Sequence, residues 1–215
     1  MKIWFIVPAR KGSKGFPFKN RKLVPILIDS LAKEKLETTI VTSDDDYIQE
    51  FASMTNCLVH KRSEFLSCDS TNIKDVIIDV INKYQIADKD VCVVLYPTYP
   101  QRTDDHINNA IEFLKINKLS SMLCRKKCSY PIPLILKDEG NNAGSIVSDK
   151  LYYRRQDWPK YFELCHFVSC FKASEVHRLN NQLFNNKTGW MWLKDNPIDV
   201  DSKKDYECFL GMENE

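Results

Sequence analysis

Apolar positions along the chain follow two alternating rhythms. The run Ile3-Trp4-Phe5-Ile6-Val7 is continuous and stops at Pro8, which predicts a buried strand. The β-branched run Thr38 to Thr42 predicts a second strand, Cys57 to Val59 a short third, and Val91 to Leu95 a fourth. That fourth run is apolar throughout, as a central parallel strand covered on both faces requires. Between these runs the spacing changes to three and four. Val24, Leu27, Ile28, Leu31 and Ala32 share one face and predict a helix over Pro25 to Leu36, with Pro25 in the first position, where a missing N–H costs nothing. Ile48, Phe51 and Ala52 predict a short helix capped by Ser43 and Asp44. Ile73, Val76, Ile77, Val80, Ile81 and Tyr84 form an amphipathic helix with Thr71 or Asn72 as its cap. Ile107, Ala110, Ile111 and Leu114 mark another, followed by a strand near Ser121 to Cys124.

Alternating strand and helix predicts an α/β fold, a parallel sheet with helices on both faces. Right-handed crossovers put the strand-to-loop ends on one edge, where ligands of such sheets bind. The residues after Val7, Thr42 and Leu95 are therefore expected in one crevice. The alternation stops near Lys126. Residues 126–164 are punctuated by Pro131, Pro133, Gly140, Gly144 and Pro159, and contain the basic and aromatic cluster Tyr152-Tyr153-Arg154-Arg155-Gln156-Asp157-Trp158. They are expected to leave the core as a β-arm. Phe167 to Phe171 then reads as a strand, Ala173 to Leu179 as a short helix and Asn180 to Lys187 as a loop. Pro197 to Asp201 reads as a final strand and Lys203 to Leu210 as a closing helix.

Composition narrows the classes. The 215 residues suit one domain. With 31 basic and 29 acidic residues the net charge is +2, which argues against a nucleic-acid footprint or a basic membrane surface. The first apolar run is too short for a signal peptide or a membrane span. The eight cysteines, several in strand-like runs, are expected as buried thiols in a reducing cytoplasm rather than as a disulfide framework. Cys124 and Cys128 lack the second ligand pair that a structural zinc needs.

Four places carry candidate chemistry. The loop Pro8-Ala9-Arg10-Lys11-Gly12-Ser13-Lys14-Gly15, continuing to Lys19-Asn20, combines glycines that let backbone N–H groups approach a ligand with three cationic side chains, Arg10, Lys14 and Lys19. This suits a polyphosphate, although the spacing is not the Walker pattern, and an exposed basic turn is the competing explanation. In Asp199-Val200-Asp201 a strand would put both carboxylates on one face, able to hold Mg²⁺ against substrate oxygens, or else simply solvated. Ser43-Asp44, and Tyr96, Thr98 and Arg102 in Tyr96-Pro97-Thr98-Tyr99-Pro100-Gln101-Arg102, fall at the ligand edge. Arg154-Arg155-Gln156-Asp157 suits an anion or a polar oligomer interface equally. The four histidines form no motif, and Cys165 and His166, adjacent on a strand, point to opposite faces.

Taken in order, these segments resemble the CMP-sugar synthetases, the cytidylyltransferases that activate sialic acid and related nine-carbon keto acids. The match begins with Ile6-Val7-Pro8-Ala9-Arg10, Gly12-Ser13-Lys14-Gly15 and Lys19-Asn20. It continues through Val41-Thr42-Ser43-Asp44; Arg62-Ser63, Leu66 and Asp69; Pro97-Thr98, Pro100 and Arg102; Arg155-Gln156 with Pro159; and Ile198-Asp199-Val200-Asp201. The resemblance implies a Rossmann-like three-layer sandwich of the nucleotide-diphospho-sugar transferase type, a homodimer, and an arm at about 126–164 that reaches over the partner's site. It implies transfer of CMP from CTP to a nonulosonic acid with release of pyrophosphate. By the same likeness Arg10, Gly12, Ser13, Lys14 and Lys19 hold the triphosphate, and Asn20, Ser43 and Arg62 surround the cytidine. Asp199 and Asp201 bind Mg²⁺, and Tyr96, Thr98, Arg102, Arg155 and Gln156 serve the sugar or the dimer. Arg10, Lys19 and Asp201 are the implied catalytic groups. Tyr96 stands where sialic acid synthetases carry Gln, and Cys165-His166 where the family has Asn-Gly, so the acceptor stays open among sialic, pseudaminic and legionaminic types. A nucleotide-binding protein without turnover, or a cytidylyltransferase for an eight-carbon keto acid or a polyol phosphate, are the alternatives.

Overall fold

The computed structural model describes residues 1–128, 132, 135–140, 143–147 and 153–212. Pro131, Pro133 and Tyr152 of the predicted excursion lie outside the described residues. Nine strands and seven helices are described: β1 (Ile3–Pro8), α1 (Lys19–Asp29), α2 (Lys33–Leu36), β2 (Thr39–Ser43), α3 (Asp46–Met54), β3 (Leu58–Lys61), α4 (Glu64–Ser67), α5 (Ile73–Lys83), β4 (Val91–Val94), α6 (Asp104–Ile116), β5 (Ser121–Lys127), β6 (Leu136–Gly140), β7 (Ala143–Ile146), β8 (Phe162–Lys172), β9 (Gly189–Trp192) and α7 (Lys203–Met212).

Seven strands form one sheet in the order β3-β2-β1-β4-β8-β5-β9. All neighbours run parallel except β8, which is inserted antiparallel between β4 and β5. Alternate residues of β1 serve the two faces, as the strand period demands. Phe5 and Val7 join one core with Val24 and Leu27 of α1, Ile48 of α3 and Ile107 of α6. Ile6 joins the other with Ile77 and Val80 of α5 and Val176 of a 3₁₀ turn. This double cover explains why the first strands read as unbroken apolar runs. A third cluster, Phe16, Leu23, Val200 and Phe209, ties the loop after β1 to α1 and to the last segment of the chain.

Four expectations change. The first helix runs from Lys19 to Asp29 with Pro25 inside it, not from Pro25 to Leu36. Leu23 with Leu27, and Val24 with Ile28, are buried four apart, and that burial outweighs the hydrogen bond Pro25 cannot make. The cap of α3 is Asp45, whose carboxylate accepts from the Tyr47 N–H, rather than Ser43 or Asp44. Residues 197–201 are not a strand: Pro197 has no N–H to give, and a single bond from Val200 N–H to the Thr98 carbonyl (2.8 Å) stands in place of a ladder. The last strand of the sheet is instead β9, four half-exposed residues beside β5. β5 and β8 stay paired out to Lys127 and Phe162, so the chain leaves the main sheet only after Lys127; β6 and β7 form a separate two-stranded sheet.

The remaining boundaries agree closely with the periodicity. Asn72 caps α5, accepting from Asp75 N–H, and Thr103 caps α6 in a reciprocal box with His106. Cys57, Cys92, Cys124, Cys165 and Cys170 are buried, whereas Cys68 and Cys208 are exposed. Burial pushes the Cys92 and Cys124 thiols up to about 12, which makes them poor nucleophiles. Among the described residues no helix is long and apolar enough to cross a membrane.

Candidate active site

The loops after β1, β3 and β4 converge at the ends of the parallel strands, where they enclose a cavity of about 530 Å³. Arg10, Ser13, Lys14, Lys19, Asn20 and Arg62 line one side, and Tyr96, Thr98 and Asp201 another. Strand polarity, with the first strand feeding a loop and then a helix, brings them together.

The loop between β1 and α1 is pinned at its base and leaves the donors at its middle unused. Among the described residues, no hydrogen bond uses the backbone N–H groups of Gly12, Ser13, Lys14 or Gly15. Asn20 fixes the loop by donating from Nδ2 to the Arg10 carbonyl at 2.8 Å. The loop's base is held by Lys11 N–H on the Asp44 carboxylate, 2.7 Å, and by Ser43 Oγ–H on the Ala9 carbonyl, 2.5 Å. Lys19 opens α1 and its side chain is only 13% exposed. Its ammonium donates to the Val200 carbonyl at 3.0 Å and to Asp201 Oδ1 at 2.7 Å. Phe18, just before it, is held in the left-handed region at φ 56°, a turn that lets the helix begin with Lys19 aimed at the cavity.

Gly15 packs against the carboxylate-bearing segment. A Cβ built there would lie 2.8 Å from the Asp201 carbonyl oxygen, and backbone cannot swing aside as a flexible side chain does. Gly15→Ala is therefore expected to displace Asp201 and lower turnover by about tenfold or more, since small misplacements at a reacting centre are costly. Activity and thermal melts measured together check this; full activity with an unchanged melt contradicts it.

Arg62 is buried with its Nε–H on Thr42 Oγ1 at 3.0 Å. Burial lowers its pKa to about 10, against the opposing pull of Asp44, so it stays charged at neutral pH. Tyr96 and Thr98 line the cavity, and the Tyr96 ring lies 5.3 Å from that of His166. His166 in turn contacts Gln182 Oε1 at 2.9 Å through Nε2.

Several predicted residues stand elsewhere. Ser43 is wholly buried and ties the ends of β1 and β2 together, outside the cavity lining. Arg102 is 1% exposed, behind the loop it was expected to extend, donating from Nη2 to the Tyr96 carbonyl. Asp199 and Asp201 do not share a strand face. Asp201 borders the cavity, while Asp199 accepts from the Tyr99 hydroxyl at 2.8 Å and is not part of the lining. Arg155 and Gln156 sit exposed on a 3₁₀ turn, and Arg155 lines a second cavity of about 970 Å³ with Arg125, Trp158 and Trp192. Sequence reasoning gave no role to Tyr99, or to Asp69, which pairs with both Arg10 and Lys14. The only sequence signal for Asp69 was its place in the ordered motif with Arg62 and Leu66.

Among the described residues no group of three or more His, Cys, Asp or Glu side chains could hold a metal ion. Mg²⁺ needs less from a protein, because it keeps waters and shares substrate phosphates. The exposed Asp201 carboxylate at the cavity rim fits that demand.

A mostly parallel sheet with a cationic, glycine-bearing loop at its ligand edge is an open α/β fold of the class that takes phosphate-bearing ligands at that edge. The solved structure of CMP:2-keto-3-deoxy-manno-octonic acid synthetase complexed with CTP superposes with a TM-score of 0.69 at 13% identity, covering 100% of this chain and 99% of that one. A 4-diphosphocytidyl-2C-methyl-D-erythritol synthase from Anaerococcus prevotii gives 0.66 at 12% identity, covering 100% of this chain and 96% of that one. The family described as Cytidylyltransferase matches residues 4–163, and the chain belongs to that family. N-acylneuraminate cytidylyltransferase of Streptococcus agalactiae is 26% identical over 98% of this chain and 53% of its own length. CMP-N,N'-diacetyllegionaminic acid synthase of Legionella pneumophila is 32% identical over 54% of each chain. The chain thus spans about half the length of the Streptococcus agalactiae relative.

Proposed function

We propose that the chain transfers CMP from CTP to a nonulosonic, sialic-acid-like keto-acid sugar and releases pyrophosphate. The observation that carries this reading is the single cavity that Arg10, Lys14, Lys19, Arg62, Tyr96, Thr98 and Asp201 line together. The sugar's anomeric hydroxyl attacks the α-phosphorus, a new P–O bond forms, and the bond to the leaving pyrophosphate breaks. Such chemistry is mostly positioning and charge neutralisation. Arg10, Lys14 and the N–H groups of Gly12 and Ser13 take the β- and γ-phosphates. Lys19 balances charge on the leaving group, and Asn20 and Arg62 flank the nucleoside. Mg²⁺, when bound, would polarise the phosphate, with Asp201 as its protein carboxylate and Asp199 behind it, held by Tyr99.

The contact between Tyr96 and His166 favours an acceptor other than sialic acid itself, because both departures from the family pattern meet behind a residue that lines the cavity, Tyr96. The relatives named for acylneuraminate and for diacetyllegionaminic acid support the keto-acid class. A homodimer built through the excursion after Lys127 accounts for Arg155 and Gln156, exposed and remote from this chain's own cavity.

Pyrophosphate release tests the reading. With CTP and a panel of eight- and nine-carbon keto-acid sugars, at least one acceptor is expected to give turnover, and ATP, GTP and UTP are expected to give little. CTP binding with no product from any acceptor supports a nucleotide-binding protein instead.

A further inference from the structure

The phosphate-facing cations are not waiting free. Arg10 Nη1 lies 2.5 Å from Asp69 Oδ1, and Lys14 Nζ 2.7 Å from Asp69 Oδ2, so one carboxylate engages both. Asp69 follows the short helix α4, and the segment contributes Leu66, Cys68, Asp69 and Thr71 to the same cavity wall. Thr71 secures it locally through its hydroxyl on the Phe65 carbonyl, 2.5 Å, and its N–H on the Cys68 carbonyl, 3.2 Å. Both oxygens of Asp69 are used, each on a different cation, which is how two oxygens of a phosphate chain would be used. Its carboxyl pKa is lowered, chiefly by the Lys14 hydrogen bond and then by Arg10, so it is ionised at neutral pH.

We infer that Asp69 is an internal counter-ion of the polyphosphate site: it occupies the cationic loop when the site is empty, and the incoming polyphosphate displaces it. The inference rests on the proposed reading for the identity of the natural ligand, but not for the charge competition itself. An anion that takes over Arg10 and Lys14 must break both pairs and must also approach a like charge. After transfer, the returning carboxylate competes with pyrophosphate for the same two cations and speeds its release. Asp69 touches no reacting atom in this scheme and acts through Arg10 and Lys14.

The test uses inorganic tripolyphosphate and pyrophosphate as probes, titrated calorimetrically into the wild-type chain and Asp69→Asn. Asp69 is 55% exposed, and asparagine keeps its shape, so the variant is expected to fold. Two solvent-exposed ion pairs are each weak, so the variant is expected to bind tripolyphosphate roughly three- to tenfold tighter. The gain should shrink as salt screens the exposed charges. Inhibition of turnover by pyrophosphate should strengthen by a similar factor. A purely structural role predicts the opposite sign. Unchanged or weaker binding by Asp69→Asn overturns the counter-ion role, and Asp69→Glu, which keeps the charge, should restore wild-type affinity. CTP turnover in the same preparations separates the two ideas. Turnover with unchanged probe affinity sinks only the counter-ion, whereas tighter probe binding without CTP turnover sinks only the cytidylyltransferase reading. No probe binding to either protein overturns both.

Discussion

Asp201→Ala is expected to reduce pyrophosphate release by about a hundred- to a thousandfold, the range seen when a preorganised electrostatic group is removed, while leaving the fold intact. The stability side follows from position. The Asp201 side chain is 74% exposed, and its pair with Lys19 sits at the cavity rim. An exposed pair of this kind contributes about 1 kcal/mol or less. The activity side follows from what is lost at the reacting phosphate. Without the carboxylate, Lys19 loses the partner that aims it, and any Mg²⁺ loses its protein ligand at the cavity. A urea melt and a pyrophosphate assay on the same sample check both halves. Wild-type turnover in the variant means that Asp201 has no part in the chemistry.

The second large effect is on stability. Arg102 is the largest fully buried side chain, and its guanidinium lies 5.6 Å from the Phe167 ring centroid. Nη2 donates to the carbonyls of Tyr96 and Tyr99, while Nε and Nη1 have no hydrogen-bond partner among the described residues. Burial lowers its pKa to about 10, with Cys124, Tyr99, Cys165 and Asp199 opposing the shift, so the charge persists at neutral pH. Arg102→Ala leaves a large void and strips the guanidinium from the Tyr96 carbonyl, which keeps only the Tyr99 N–H at 3.4 Å, and this should cost about 3 kcal/mol or more. Arg102→Met fills most of that volume and removes a poorly compensated charge, so it should cost far less, about 1 kcal/mol or nothing. Both variants should lose activity, because the loop bearing Tyr96 and Thr98 loses its anchor. Denaturant midpoints for the pair decide the matter, and equal midpoints for Ala and wild type would show that the guanidinium is not structural.

The contrast between these two residues shows where sequence reading succeeds and where it stops. β1 and β4 were legible because burial on both faces removes polar residues from a strand and leaves an unbroken apolar run, and β2 because its residues are mostly β-branched. The loop after β1 stood out because Arg10, Gly12, Lys14 and Lys19 cluster there, although composition alone left an exposed basic turn as an equal reading. Direction was not legible: β8 is as apolar as its neighbours, and nothing in its periodicity says that it runs antiparallel. β9 was missed because four half-exposed residues carry no usable period. Residues 197–201 alternate like a strand, yet Pro197 and the side chain of Gln101, which accepts the Ile198 N–H, replace the ladder. That error carried over to Asp199, which turns to Tyr99 instead of standing beside Asp201. Arg102 was expected at the ligand edge because charged residues are seldom buried. What buries it are Phe167 and two carbonyls of its own loop, a combination visible only after folding.

Lys19 and Asp201 are 182 positions apart, and Val200 meets Thr98 across about half the chain. The strands that shape the cavity can pair while the chain is still emerging from the ribosome, but the rim cannot close until Val200 and Asp201 arrive. During synthesis the growing chain therefore carries an open, cationic cleft, with Asp69 already in place on Arg10 and Lys14.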